Sequence, residues 1–465
     1  MPIKQKRGRT IRKRTLKRVT RNCLVNRWGR ENAMGEQQKA ATKGSRKTLE
    51  MARNTWKFIR QDYGEGHEHK NAGKPVVWSC ALVEKELYYS MGLFPYYPEQ
   101  FASLCAVRRK TKDSEKEAVR FARYAEQAGY STDLCGYERV CTGYVVNGDL
   151  SDAPLGGMAP PDMLVTTSSV CDVRLKWFED MAQRLQVPLF TLDRPEQVFE
   201  DIMGHPKPHE ILYYRSQLED FLSFTTEVTG NKFDQDRLNE CMDWAYKTNE
   251  LRLEILELRK NVPSPMGSAD SFATMYPGMY CSGTERAYEF YKALRDEVRA
   301  KVKAGKGQIP NERFRLLWFG IPIWFNMSIF NYFEPVGGVF AYEPNYNPVP
   351  SPPRNTADPL TEMAIRTLSI GTSMGSRIRA VLEQCTEYNI VGGVLAYLIT
   401  CRPYYLPVLE LARVLKKELG VPSVFIESDL VDERSYSEAQ VRTRMDAFSE
   451  MILKKMETEA ACQTG

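Results

Sequence analysis

Two stretches of the chain carry the same order of hydrophobic patterns. In the first, Asp162–Ser168 is a short run rich in β-formers, Cys171 follows, apolar positions recur at helical spacing from Arg174 to Leu185, and Val187-Pro-Leu-Phe-Thr-Leu-Asp193 is a second strand-type run. In the second, Val391–Thr400 is the strand-type run and Cys401 follows at once. A helical pattern then runs from about Leu406 to Leu419, closes on Gly420, and leads into Val421-Pro-Ser-Val-Phe-Ile-Glu-Ser-Asp429. Both read strand, Cys, helix, Val-Pro, strand, Asp, with 16 residues from Cys to Val-Pro in one and 20 in the other. The repeat is therefore one of architecture, a βαβ unit of a parallel sheet. Ligands of such sheets collect at the carboxyl ends of the strands, which directs Cys401, Glu427 and Asp429 to one crevice. A cysteine just ahead of a helix also lies near the positive end of its dipole, which favours the thiolate.

The remaining pattern extends this picture. Lys74–Cys80 predicts a first strand, Ala81–Met91 a helix, Gly92–Glu99 a loop, and Asp113–Gly129 a helix with Ala118, Phe121 and Ala125 on its apolar face. Between Pro206 and Lys306 the chain is mostly amphipathic and helical, broken by Pro263-Ser-Pro265 and a turn at Pro277-Gly278. Arg313–Ile321 and Gly338–Tyr342 predict strands of a second domain. The fold expected is α/β: two doubly wound, flavodoxin- or Rossmann-like parallel-sheet domains with a helical insertion and an N-terminal extension. Residues 1–33 are expected to be a disordered basic tail and 34–73 an N-terminal helical segment. The first α/β domain is placed at 74–205, the helical insertion at 206–310, the second α/β domain at 311–457 and a short tail at 458–465.

Composition narrows the function classes. The 465 residues are 43% hydrophobic and 26% charged, ordinary values for a globular chain, and no apolar run is long enough to span a membrane. With no signal peptide, a cytoplasmic protein without a membrane partner is expected. The net charge of +5 belongs to the tail, because residues 1–30 hold 12 Lys or Arg and no acid, leaving 52 basic against 59 acidic residues elsewhere. A nucleic-acid partner is therefore not expected, and Met34 is read as an alternative start. The 11 cysteines are scattered with no Cys-x-x-Cys pair, so they predict reduced thiols and give only a weak metal signal. His67-Glu-His69 lies in a Gly-rich stretch without a third ligand nearby and reads as a solvated loop. Ile370-Gly-Thr-Ser-Met-Gly-Ser-Arg377 lacks the Gly-Lys-Ser/Thr ending of a phosphate loop, and no Gly-x-Gly-x-x-Gly follows a strand, which argues against ATP or NAD binding in those ways.

Read together, several segments resemble the subunits of the 2-hydroxyacyl-CoA dehydratase and benzoyl-CoA reductase family. They are Trp78-Ser79, Tyr97-Pro-Glu99, Gly129-Tyr with Asp133-Leu-Cys-Gly-Tyr137, Met163–Trp177, Val187-Pro to Asp193-Arg-Pro195, Arg313–Pro322 and Cys401–Arg444. The resemblance implies one [4Fe–4S] cluster bound through three cysteines with one iron left open, and by resemblance Cys105, Cys135 and Cys401 fall on those positions. Cys171 is expected to be a buried small residue and no ligand. Where many members carry Pro-x-Glu, this chain has Glu84-Lys-Glu86, so Glu86 is carried as a substrate-facing acid or base. The resemblance further implies an acyl-CoA thioester substrate, a homologous second subunit in a heterodimer, and a separate ATP-dependent activator protein. The chemistry implied is loss of water from a 2-hydroxyacyl-CoA through a ketyl radical anion. Reduction of an aromatic ring in a benzoyl-CoA reductase, or a non-catalytic cluster carrier, are the alternatives.

Overall fold

The computed structural model describes residues 45–464, so the basic tail and the alternative start at Met34 lie outside the described residues. The apolar runs form eight strands: β1 (Val76–Ser79), β2 (Phe94–Tyr96), β3 (Met163–Thr167), β4 (Leu189–Leu192), β5 (Phe314–Phe319), β6 (Gly338–Tyr342), β7 (Ile390–Leu398) and β8 (Ser423–Ser428). They pair in parallel as two sheets, ordered β2-β1-β3-β4 and β6-β5-β7-β8. The same order thus recurs in each half, as expected for two doubly wound units. Every residue of β1, β3, β5 and β6 is buried, because helices cover both faces of a parallel sheet. Trp78 in β1 and Trp318 in β5 are each the penultimate residue of their strand and fully buried. Their indole nitrogens donate to Ala159 O at 2.8 Å and Gly320 O at 2.9 Å, which satisfies the one polar atom each ring buries.

Helices Pro208–Thr229, Gln235–Arg259, Ser268–Tyr280 and Glu285–Lys303 lie between the sheets in sequence. Asp234 and Thr284 cap two of them, each accepting a first-turn N–H through its side chain.

Four local expectations change. The Gly92–Glu99 loop holds β2, a three-residue edge strand in which Pro95 is tolerated, and then the start of helix Pro98–Val107. His67 and His69 are helical, within Glu50–Asn71, and contact Gly157 O at 3.1 Å and Pro75 O at 3.2 Å. A glycine is needed in that helix because a Cβ on Gly66 would come within 2.3 Å of the Tyr96 hydroxyl. Pro277-Gly278 lies inside helix Ser268–Tyr280, where a side chain on Gly278 would meet Tyr291 and Arg252. The last helix, Glu438–Thr464, runs through the stretch expected to be a tail. Among the described residues, no helix is long and apolar enough to cross a membrane.

Candidate active site

The carboxyl ends of the two sheets meet in a cleft. Cys171 follows β3, Cys401 follows β7, and Cys135 immediately precedes helix Gly136–Val146. Cys401 and Cys171 are the strongest charged neighbours of the Cys135 thiol, and Cys171 is again the strongest neighbour of Cys401. Burial, then this mutual proximity, pushes the Cys135 thiol well up and the Cys401 thiol to about 12. Val170, just before Cys171, takes φ 69°, a left-handed conformation that a β-branched residue rarely adopts. Cys105 is placed elsewhere. It is fully buried in helix Pro98–Val107, and the charges acting on it are those of Glu117 and Arg120. The structure therefore groups Cys171, and not Cys105, with Cys135 and Cys401.

Among the described residues, no group of three or more His, Cys, Asp or Glu side chains is arranged around a single metal ion. A cubane is wider than an ion and needs thiols set further apart. The Cys135 and Cys401 thiols, raised by burial and by their cysteine neighbours, would remain protonated alone, and a cationic cluster reverses that balance. The donor set fits such a group.

The carboxylates divide in a similar way. Glu86 is 2% exposed and accepts from Arg366 Nη1 at 2.9 Å. Burial raises its pKa, but the Arg366 charge more than offsets this and leaves it below the usual value. Glu86 is thus engaged in an ion pair with Arg366. Glu99 is likewise buried and paired with an arginine, but it keeps one oxygen unpartnered. Its Oε1 accepts from Arg174 Nε at 3.1 Å and from the Ala81 N–H at 3.4 Å, while its Oε2 is buried with no hydrogen-bond partner. The Arg174 guanidinium stands among Cys80, Glu99, Cys171 and Cys135.

A cavity of about 900 Å³ has Ser103, Tyr280 and Trp324 in its lining. Tyr137, two residues after Cys135, accepts from Trp324 Nε1 at 2.6 Å and from Ser103 Oγ at 3.4 Å. Tyr280 is close enough to Glu99 and Arg174 to feel their charges. Tyr280 thus connects the cavity wall with the Glu99–Arg174 pair.

The sequence model of the family described as 2-hydroxyglutaryl-CoA dehydratase, D-component, matches residues 80–452. The chain belongs to this family. It is 28% identical over 411 residues to the (R)-phenyllactyl-CoA dehydratase alpha subunit of Clostridium sporogenes, covering 84% of this chain and 93% of that one. Over 420 residues it is 26% identical to the lactoyl-CoA dehydratase alpha subunit of Anaerotignum propionicum, with 84% and 94% covered. A benzoyl-CoA reductase subunit of Thauera aromatica is 28% identical over 359 residues, with 71% and 79% covered. The chain is thus part of an enzyme of this kind.

In this member of the dehydratase family, a buried ionic network joins the two units beside the thiols. Arg139, one turn after Cys135, is 3% exposed and pairs with Asp432 at 3.0 Å and Asp429 at 3.4 Å, both just beyond β8. Asp429 accepts from Thr400 Oγ1 at 2.5 Å, and Thr400 in turn accepts from the Gly136 N–H at 3.3 Å. A side chain on Gly136 would collide with Asp429, so the glycine permits the close approach. Asp429 was expected at the crevice and is there. Glu99 and Arg174 were not singled out as a pair, because they stand 75 residues apart.

Proposed function

We propose that this chain is the [4Fe–4S] subunit of a 2-hydroxyacyl-CoA dehydratase, which eliminates water from its thioester through a ketyl radical anion after one-electron activation. The electron would come from a separate ATP-dependent activator, and a homologous second subunit would complete a heterodimer. One observation carries the reading: the thiols of Cys135, Cys171 and Cys401 come together where the two units meet. Cys135, Cys171 and Cys401 would hold the cluster, with Cys171 taking the place first given to Cys105. When bound, the cluster supplies low-potential electron transfer and a Lewis acid.

The other roles fall to the chain's own groups. The buried, unpartnered Oε2 of Glu99 is suited to accept or return a proton of a substrate brought against it, and Arg174 holds the carboxylate in place. Tyr280 and Trp324, the latter fixed by its bond to the Tyr137 hydroxyl, line the cavity and would exclude water beside the substrate.

Anaerobic purification with iron and sulfide analysis, then assay against a panel of 2-hydroxyacyl-CoA thioesters, tests this. Cluster content near four irons per chain and turnover with catalytic amounts of reductant support it, whereas a cluster-free chain would sink it. The similarity to the benzoyl-CoA reductase of Thauera aromatica keeps ring reduction as the second reading, marked by stoichiometric consumption of reductant.

A further inference from the structure

The outer part of the cavity has a charge imbalance that the chemistry in the cleft does not use. Lys47, Arg108, Arg109 and Lys116 line it, and Glu433 is the carboxylate there. Glu433 is already bound to Arg109, at 3.2 and 3.3 Å. Most arginines of the described residues are ion-paired, but no carboxylate pairs with Arg108, Lys47 or Lys116. Lys116 reaches only the Val107 carbonyl, at 3.5 Å. Burial and the neighbouring charge of Arg60 press the Arg108 pKa down, the mark of a cation lacking its anion.

Arg108 is held all the same. Its guanidinium carbon lies 3.7 Å from the centroid of the Trp56 ring, and Arg60 stands 5.9 Å from the same ring. A guanidinium stacked on an indole is fixed in its plane with its N–H edge free, a geometry suited to bidentate phosphate binding.

Distance links this place to the cleft. Glu99 lies in the first turn of helix Pro98–Val107 and Arg108 caps its end, so nine residues at about 1.5 Å each put about 14 Å between them along a helix whose Gln100, Ser103, Leu104 and Val107 line the cavity. A thioester carbonyl beside Glu99 would thus lie an extended pantetheine arm away from the cations.

We propose that Arg108, stacked on Trp56 and joined by Lys116 and Lys47, clamps the adenosine 3′-phosphate and diphosphate end of the CoA thioester. The proposal rests on the acyl-CoA reading above and assigns the residues that recognise the nucleotide.

Calorimetric titration of the purified enzyme with free CoA and with 3′-dephospho-CoA tests the clamp. Wild type should bind CoA the more tightly. Arg108→Ala and Lys116→Ala should each weaken CoA by about 10- to 100-fold, the loss of one charge-assisted phosphate contact, and reduce the preference over dephospho-CoA. Arg108→Lys, which keeps the charge but not the planar fork, should fall between, and Lys116 is a cavity-wall side chain whose removal leaves the core intact. If both alanine variants bind CoA within about twofold of wild type and keep the preference, the clamp is wrong while the acyl-CoA reading stands. If wild type binds neither ligand, the acyl-CoA reading fails and takes the clamp with it.

Discussion

β3 and β7 occupy the same place in their sheets, and each is followed within a few residues by a cysteine. Around those cysteines the two units differ. The first adds Cys135, Glu99 and Arg174, and its helix Pro98–Val107 forms a wall of the cavity. The second adds Asp429, Asp432 and Thr400, which bind the first unit and leave no open proton acceptor of their own. The two sheets share the place where a ligand can sit, while the polar groups around it differ between the two units. Fold symmetry therefore locates this site better than it assigns roles within it.

The equivalence of Cys171 and Cys401 gives the largest expected effect. Cys171→Ser and Cys401→Ser, prepared anaerobically, should each lose most of their iron and essentially all activity, and Cys135→Ser should match them. Cys105→Ser should keep its iron, since that thiol packs against Glu117 and Arg120 instead. Iron analysis and the visible absorption of the cluster decide the matter. Retention of iron by Cys171→Ser with loss by Cys105→Ser would restore the ligand set first expected.

Next comes the asymmetry between the carboxylates. Glu99→Gln should lower turnover by about 10²- to 10⁴-fold, the range for loss of an acid–base group, with cluster content unchanged. Glu86→Gln should mainly lower the unfolding temperature, because it leaves Arg366 buried without its partner. An equal loss of turnover in both, at equal stability, would show that Glu86 also works on substrate.

Much of this was legible in the chain. The order strand, Cys, helix, Val-Pro, strand, Asp disclosed the duplicated sheets, and it also set Cys171 opposite Cys401. The family resemblance was what assigned Cys105, but helix Pro98–Val107 buries that thiol, whose charge acts on Tyr63 and Cys141. Glu99 stood in the Tyr97-Pro-Glu99 segment, yet its significance depends on Arg174, brought to it only by the packing of the Val173–Leu185 helix. β2 was hidden because three residues with a central proline carry no alternation to read. The cavity mouth was beyond sequence reasoning, since Trp56 and Arg108 come from separate helices.

The buried anchor is the next test. Arg139→Met should cost about 3 to 5 kcal/mol, because it strands carboxylates already removed from water. Burial raises the Asp432 pKa, but its bonds to Arg434 and the nearby Arg139 charge outweigh that and hold it below the ordinary 3.8. A depressed carboxylate contributes stability above its unfolded pKa and loses it as pH falls through the folded one. The gap between wild type and Arg139→Met in thermal unfolding should therefore persist at neutral pH and shrink on acidification below 3.8. A gap that widened there would mean that Asp432 is not part of the anchor.

A second ion pair crosses the same cleft and supplies the control. Arg402, directly after Cys401, pairs with Asp172, directly after Cys171, but their side chains are 62% and 59% exposed. Both anchors tie the first unit to the second beside a proposed ligand, so position alone would predict similar effects. Solvation predicts otherwise: water screens the exposed pair, and holding two long side chains in one geometry offsets most of its Coulomb gain. Arg402→Ala should shift stability by about 0 to 1 kcal/mol, less at high salt, and leave iron content intact. Differential scanning calorimetry at low and high ionic strength measures the first, and iron analysis the second. A loss as large as that of Arg139→Met, unmoved by salt, would show that the loops bearing the two cysteines are held by their own ion pair and not by the buried network behind them.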